Sequence, residues 1–156
     1  MDFFNNLSKD TPVIAYTDGA CSGNPGAGGW GVRIESNGNS YEWNGGEILT
    51  TNNRMELAAC IECLKAVPRE YSLTIHTDSR YVRDGICHWI NGWKKNGWKT
   101  ASKAPVKNID LWQALDSLAQ NRVINWEWIA AHSGHNGNER ADMLAKQGIV
   151  VARMSS

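Results

Sequence analysis

The sequence predicts an α/β fold: one five-stranded mixed sheet, with three antiparallel strands first and parallel strands after them, flanked by helices. Two observations carry this. Residues 13–45 hold three extended apolar segments punctuated by glycine-rich turns. Beyond them helical and strand periodicities alternate, as crossovers between parallel strands require.

Val13, Ile14, Ala15, Tyr16 and Thr17 form a buried strand pattern, ended by Asp18-Gly19 and a loop with four glycines over residues 23–29. Residues 30–34 alternate as a second strand, Asn37-Gly38 is a hairpin turn, and a third strand covers about 40–45. Thr51, Asn52 and Asn53 are helix-cap residues. Leu57, Cys60, Ile61 and Leu64 follow at helical spacing, with Pro68 beyond the end. Leu73, Ile75 and Thr77 alternate as the fourth strand. A helix is expected over 79–87, another over 108–120 and the fifth strand over 123–129. After a His/Gly loop, Asn138 is the expected cap of a last helix reaching Ala145.

The 156 residues suit one domain with a sizeable core. The expected division is a flexible N-terminal extension at 1–10, a single domain over 11–151 and a short tail at 152–156. Hydrophobic residues are 42% and charged residues 21%, which excludes a disordered chain. No apolar run has membrane-helix length, and no signal peptide is read at the start; a cytoplasmic monomer is the expectation. Cys60-x-x-Cys63 lies within a helical pattern with no second ligand pair, so both cysteines are expected as core.

Formal net charge is +0. The distribution is less even. From Trp89 to Lys107 the chain carries Lys94, Lys95, Lys99, Lys103 and Lys107 and no acid, so a basic segment at about 88–107 faces an otherwise more acidic molecule.

Two strands end alike, Tyr16-Thr17-Asp18-Gly19 and His76-Thr77-Asp78-Ser79. As parallel neighbours they would bring both carboxylates to one sheet edge, where α/β sheets bind ligands. Glu56 sits at the border of a buried helix face, and Asp142 lies early in the last helix. Clustered carboxylates need protons or a cation, and oxygen-only ligands favour Mg²⁺ or Mn²⁺. Each acid alone is equally an ordinary turn, cap or first-turn residue.

The motifs go further. Residues 16–26 (YTDGACSGNPG), 51–57 (TNNRMEL), 77–79 (TDS) and His132-Ser133-Gly134-His135 with 138–142 (NERAD) resemble, in order, the four motifs of bacterial-type ribonuclease HI. The Trp/Lys segment resembles the basic handle of that family. The resemblance spans residues 16–145. It implies a ribonuclease H-like fold and an endoribonuclease that hydrolyses the RNA strand of RNA/DNA hybrids. Family chemistry uses two metal ions and gives 5′-phosphate and 3′-hydroxyl ends. Matched residue by residue, Asp18, Glu56, Asp78 and Asp142 are the implied ligands of two Mg²⁺ ions, with Mn²⁺ as a substitute. His132 is implied in proton transfer and product release.

For the substrate, the match implies strand recognition by Asn24, Asn52 and Thr51, the last as a DNA-phosphate contact; the loop from Cys21 through Gly23 to Asn24 adds exposable backbone, and Asn24 and Asn53 offer amide donors and acceptors. Tyr81 and Trp89 match positions in the DNA-strand channel. Trp93, Lys94, Lys95, Trp98 and Lys99 interleave aromatic faces with phosphate-neutralising charge, although a tryptophan core face would give the same spacing. Arg80 stands where the family commonly has glutamine, and is expected to add a phosphate contact. Ala131, Gly92 and Asn96 are further departures; none removes a ligand. Another nuclease of this fold, such as an integrase, resolvase or exonuclease, is the alternative, as is a hybrid-binding module that does not cleave. A carboxylate-rich metal-binding protein would leave the handle unexplained.

Overall fold

Strands β1 (Val13–Ser22), β2 (Gly26–Ser36) and β3 (Asn39–Thr50) form an antiparallel meander; β4 (Leu73–Thr77) and β5 (Ile124–Trp128) continue the sheet in parallel. The strand order is β3-β2-β1-β4-β5, so β1 is central. This computed structural model describes residues 2–130 and 134–154. The predicted fold class is the observed one. Asn37 and Gly38 both take left-handed φ, 51° and 79°, as the two-residue turn between twisted strands demands.

Helix α1 (Asn52–Ala66) covers one face of the sheet. The Thr51 hydroxyl caps it by accepting the Arg54 N–H at 3.2 Å. Leu57, Cys60, Ile61 and Leu64 join Val13, Ala15, Val32, Ile34, Leu73 and Ile75 in the core. Cys60 and Cys63 are fully buried, and burial pushes the Cys60 thiol up to about 12, so the C-x-x-C pair is packing. Helix α4 (Ile109–Ala119) packs beside α1 and buries Trp112 and Leu115.

The opposite face carries α5 (Asn136–Met154), which crosses β1, β2 and β3. It is seated on glycines. A Cβ on Gly148 would lie 2.1 Å from the Gly45 carbonyl oxygen, and one on Gly29 would lie 2.1 Å from that of Ala145. Backbones therefore approach to a distance no side chain allows. The expected stop at Ala145 is corrected: Gly148 is a contact residue, not a terminator, and the helix extends to Met154. The tail expected from residue 152 is still helix, with Ala152 buried. Asn138 lies inside the first turn rather than at the cap position.

Two further expectations differ. The helix expected over 79–87 is a longer run: α2 (Arg80–Asp84), a π-helical turn at Gly85–Trp89 and α3 (Ile90–Lys95). Ser79 caps it, accepting the Val82 N–H at 3.1 Å. Gly85 lies flat against the Trp112 indole, where a Cβ would be 2.0 Å from the ring, and the Ile90 N–H reaches five residues back to the Gly85 carbonyl. At the N-terminus, Phe3, Phe4 and Leu7 pack against the core, and the Tyr71 hydroxyl donates to the Leu7 carbonyl at 2.9 Å. Polarity suggested looseness there; three apolar residues dock the segment.

Candidate active site

Register places the first two carboxylates. Tyr16 pairs with His76 in the parallel β1–β4 ladder, so Asp18 and Asp78, two residues on in each chain, reach the same level at the carboxyl ends. The third comes from α1. A Cβ on Gly19 would lie 2.4 Å from the Glu56 backbone nitrogen, so only glycine lets the first turn of α1 settle on the strand end. The Gly19 N–H then donates to both the Glu56 carboxylate and Asp18 Oδ1, the latter at 2.9 Å. One oxygen from each of Asp18, Glu56 and Asp78 lies within 4.8 Å of the others.

Burial and mutual repulsion dominate this trio. Asp18 is 5% exposed; burial, then the charge of Asp78, pushes its carboxyl up to about 8. Burial, then Asp18 and Asp78, holds Glu56 well above the carboxylate range. Asp78 is raised by burial, against hydrogen bonds from Asp18 and Asn138 that pull it down. Such a group must keep protons or take a cation. Its donors are all carboxylate oxygens, which suits a hard divalent ion such as Mg²⁺ or Mn²⁺.

The sequence pointed to four carboxylates; among the described residues the structure gathers three tightly. Asp142 stands beside them on α5. Its charge raises Asp18 and Asp78, and its Oδ2 pairs with Lys146 Nζ at 3.0 Å, one turn along. Asn138, expected only as a cap, is 3% exposed and hydrogen-bonds Asp78. Its spacing, four residues before Asp142 on one helix face, was the available signal. His132 lies outside the described residues. His135 packs its ring 5.1 Å from Tyr16, which in turn stacks on His76 at 4.7 Å.

The residues that the family match ties to strand recognition lie together on one ledge. The Cys21 thiol donates to the Thr50 and Gly26 carbonyls at 3.4 and 3.5 Å. Gly23 takes a φ of 79°, and Asn24 Oδ1 accepts the Asn52 N–H at 3.1 Å. The loop at 21–24 is thus joined to the Thr51–Asn52–Asn53 turn.

A polar relay ties that turn to the handle. Arg54 grips Asp110 with two nitrogens, at 3.0 and 2.7 Å, and donates to Asn108 Oδ1 at 3.2 Å. Arginine only donates, so the Asn108 amide must turn its Nδ2 to the Tyr81 hydroxyl, at 3.0 Å. Trp112 Nε1, also only a donor, reaches the same oxygen at 2.9 Å. With two hydrogen bonds accepted, the Tyr81 phenol has only its own proton left to give.

Tyr81 continues into a row of rings. Trp89, 38% exposed, meets Tyr81 at 5.8 Å, and Trp93 sits half-buried between Trp89, Trp98 and Trp112. The handle's tryptophans are therefore packing and surface at once. Lys94 pairs with Asp116 at 3.2 Å, whereas Lys95, Lys99 and Arg80 are exposed. Trp126 is half-buried, whereas Trp128 is 39% exposed, with Arg83 over its ring at 4.9 Å.

An RNase H family model matches residues 10–150. The chain belongs to the ribonuclease H family. It is 58% identical over 139 residues to a ribonuclease H of Neisseria gonorrhoeae (strain ATCC 700825 / FA 1090), covering 89% of this chain and 96% of that one. Among solved structures it is similar to LC9-RNase H1, a type 1 RNase H with the type 2 active-site motif, at TM-score 0.82 and 31% identity over 94% of this chain and 75% of that chain. It is also similar to LC11-RNase H1, solved in complex with an RNA/DNA hybrid, at TM-score 0.67 and 25% identity over 90% and 99%. This ribonuclease H is therefore a nuclease with the predicted mixed sheet, and its acidic trio suits metal binding. No helix among the described residues is long and apolar enough to cross a membrane.

Proposed function

We propose that this ribonuclease H cuts the RNA strand of RNA/DNA hybrids internally, leaving 5′-phosphate and 3′-hydroxyl ends. Asp18, Glu56, Asp78 and Asp142 would hold two Mg²⁺ ions, with Mn²⁺ able to substitute. The observation that carries this is the trio of carboxylate oxygens within 4.8 Å of one another, two of them buried, in a chain of this family. Bound ions would supply activation of a water and stabilisation of the leaving oxygen.

The chain's own residues prepare the site. The Gly19 N–H fixes Glu56 and Asp18 together, Asn138 pulls the Asp78 carboxyl down against the burial that raises it, and Lys146 pairs with Asp142. His132 is proposed to move protons and aid product release.

The hybrid would lie with its RNA strand on the ledge of Cys21, Gly23, Asn24, Asn52 and Asn53 and its DNA strand along Tyr81 and Trp89. Thr51 would touch DNA phosphate. Trp93, Lys94, Lys95, Trp98, Lys99 and Arg80 would add packing and charge. A single catalytic domain over 11–151, acting as a monomer in the cytoplasm, belongs to the same reading. Its test is cleavage of an end-labelled hybrid in Mg²⁺ and loss of that cleavage in Asp78→Asn.

A further inference from the structure

The far end of α5 reaches the recognition loop. Arg153, in the last turn, places Nη2 2.7 Å from the Ser22 hydroxyl. Ser22 is the final residue of β1 and precedes Gly23, whose left-handed φ of 79° turns the chain into Asn24. On the other side of that turn, Asn24 Oδ1 accepts the Asn52 N–H from the start of α1. The loop is therefore gripped from two sides, by α5 through Ser22 and by α1 through Asn24.

The helix that carries Arg153 is closely seated on the sheet. Gly148 lies five residues before Arg153, at the point where α5 and β3 meet backbone to backbone; a Cβ there would be 2.1 Å from the Gly45 carbonyl. A Cβ on Gly46 would likewise lie 2.4 Å from the Gly148 carbonyl. A helix seated so closely carries its last turn as a rigid lever, since interiors packed at this density transmit displacement rather than absorb it. Arg153 thus relays the position of the sheet to the loop.

We infer that Arg153 is a positioning residue for hybrid recognition: through Ser22 it holds the 22–24 loop in the geometry that accepts the RNA strand. The inference rests on the proposed role of that loop in strand recognition. Arg153 acts on substrate through Ser22 and the loop, not by touching phosphate, and this separates it from the lysines of the handle.

Steady-state cleavage of an RNA/DNA hybrid in Mg²⁺, with the full chain, tests this. The proteins compared are the wild type, Asn24→Ala, Ser22→Ala, Arg153→Ala, Arg153→Lys and the Ser22→Ala/Arg153→Ala double variant, with melting temperatures checked alongside. Asn24→Ala raises KM if the loop reads the hybrid. Arg153→Ala and Ser22→Ala each raise KM about threefold, the scale of one exposed charge-assisted hydrogen bond, and kcat changes less than KM. The double variant is no worse than Arg153→Ala alone, because Ser22 acts through the bond that this variant already lacks. Arg153→Lys recovers part of the loss.

An unchanged KM in Arg153→Ala, beside a raised KM in Asn24→Ala, overturns the inference and leaves the loop's role standing. Additive effects of the two singles also overturn it. So does a flatter salt dependence of KM in Arg153→Ala, which would make Arg153 a direct phosphate contact. A wild-type protein that leaves the hybrid intact, or an Asn24→Ala variant indistinguishable from it, overturns the loop's role and the inference together.

Discussion

Gly19 and Glu56 meet across the end of the sheet: the Gly19 N–H donates to the Glu56 carboxylate, and the absent side chain of Gly19 is what lets the Glu56 backbone come so close. Gly19→Ala would drive a methyl group into the first turn of α1. The expected outcome is a loss of about 2 kcal/mol or more in stability and at least a hundredfold fall in kcat, because Glu56 moves off the trio. Chemical denaturation and single-turnover cleavage measure the two effects separately.

Asp18→Asn removes a carboxyl that burial and Asp78 hold up at about 8. The variant should lose Mg²⁺-dependent cleavage yet keep hybrid binding. In chelator at neutral pH it should melt higher than wild type, by roughly 4–8 °C for about 2 kcal/mol of relieved repulsion. Retained cleavage, or a lower melting temperature, counts against this reading of the site.

The same raised groups give the metal-free protein a stability that depends on pH. Native Asp18 and Glu56 keep protons that the unfolded chain releases near pH 4, so their contribution is complete below that pH. It is lost as pH rises through the native value, about 8 for Asp18. Melting in chelator should therefore fall across pH 4 to 8, and Mg²⁺ should restore it most at the alkaline end. Glu42 works in the opposite sense: Arg140, then Arg33, lower it to about 2, so Glu42→Gln should destabilise at pH 7 and lose that effect as pH falls toward 2.

Tyr81→Phe deletes an acceptor shared by Trp112 Nε1 and Asn108 Nδ2 and leaves both donors unpaired. A cost of about 1–3 kcal/mol follows for a buried donor left without a partner. Hybrid affinity should fall as well, since the phenol proton is the group free to be given. A Phe variant as stable as wild type would show the relay to be dispensable.

Handle lysines should differ. Lys95→Ala and Lys99→Ala should each lower the salt slope of hybrid binding by about one counterion, whereas Lys94→Ala, already paired with Asp116, should change it less. Arg80→Gln should flatten the slope if Arg80 meets phosphate. Wild-type slopes in all three lysine variants would remove these lysines from phosphate binding.

Much of this geometry was legible in the chain because it is local. Asp18 and Asp78 each end an alternating strand, and a crossover helix makes those strands parallel, so their meeting follows from topology. Glu56 follows from its place on the next helix. What stayed hidden depends on contacts far apart in sequence. The last helix, expected to reach Ala145, runs on through Gly148, which is required where α5 crosses Gly45. Gly85 looks like a weak helix residue, yet it makes room for Trp112, and the wide turn after it has no local signature. The docking of Phe3, Phe4 and Leu7 needs Tyr71, more than sixty residues away. Asp142 illustrates the middle case: the motif marks it, but its pairing with Lys146 is a matter of helix geometry.

The most direct test of the central claim is incubation of the protein in Mg²⁺ with four end-labelled duplexes: RNA/DNA, RNA/RNA, DNA/DNA and DNA carrying a single ribonucleotide. Internal cuts confined to the RNA of the RNA/DNA hybrid, with 3′-hydroxyl ends, are the predicted result. Cutting of DNA/DNA, or hybrid binding without cleavage in both Mg²⁺ and Mn²⁺, would contradict it.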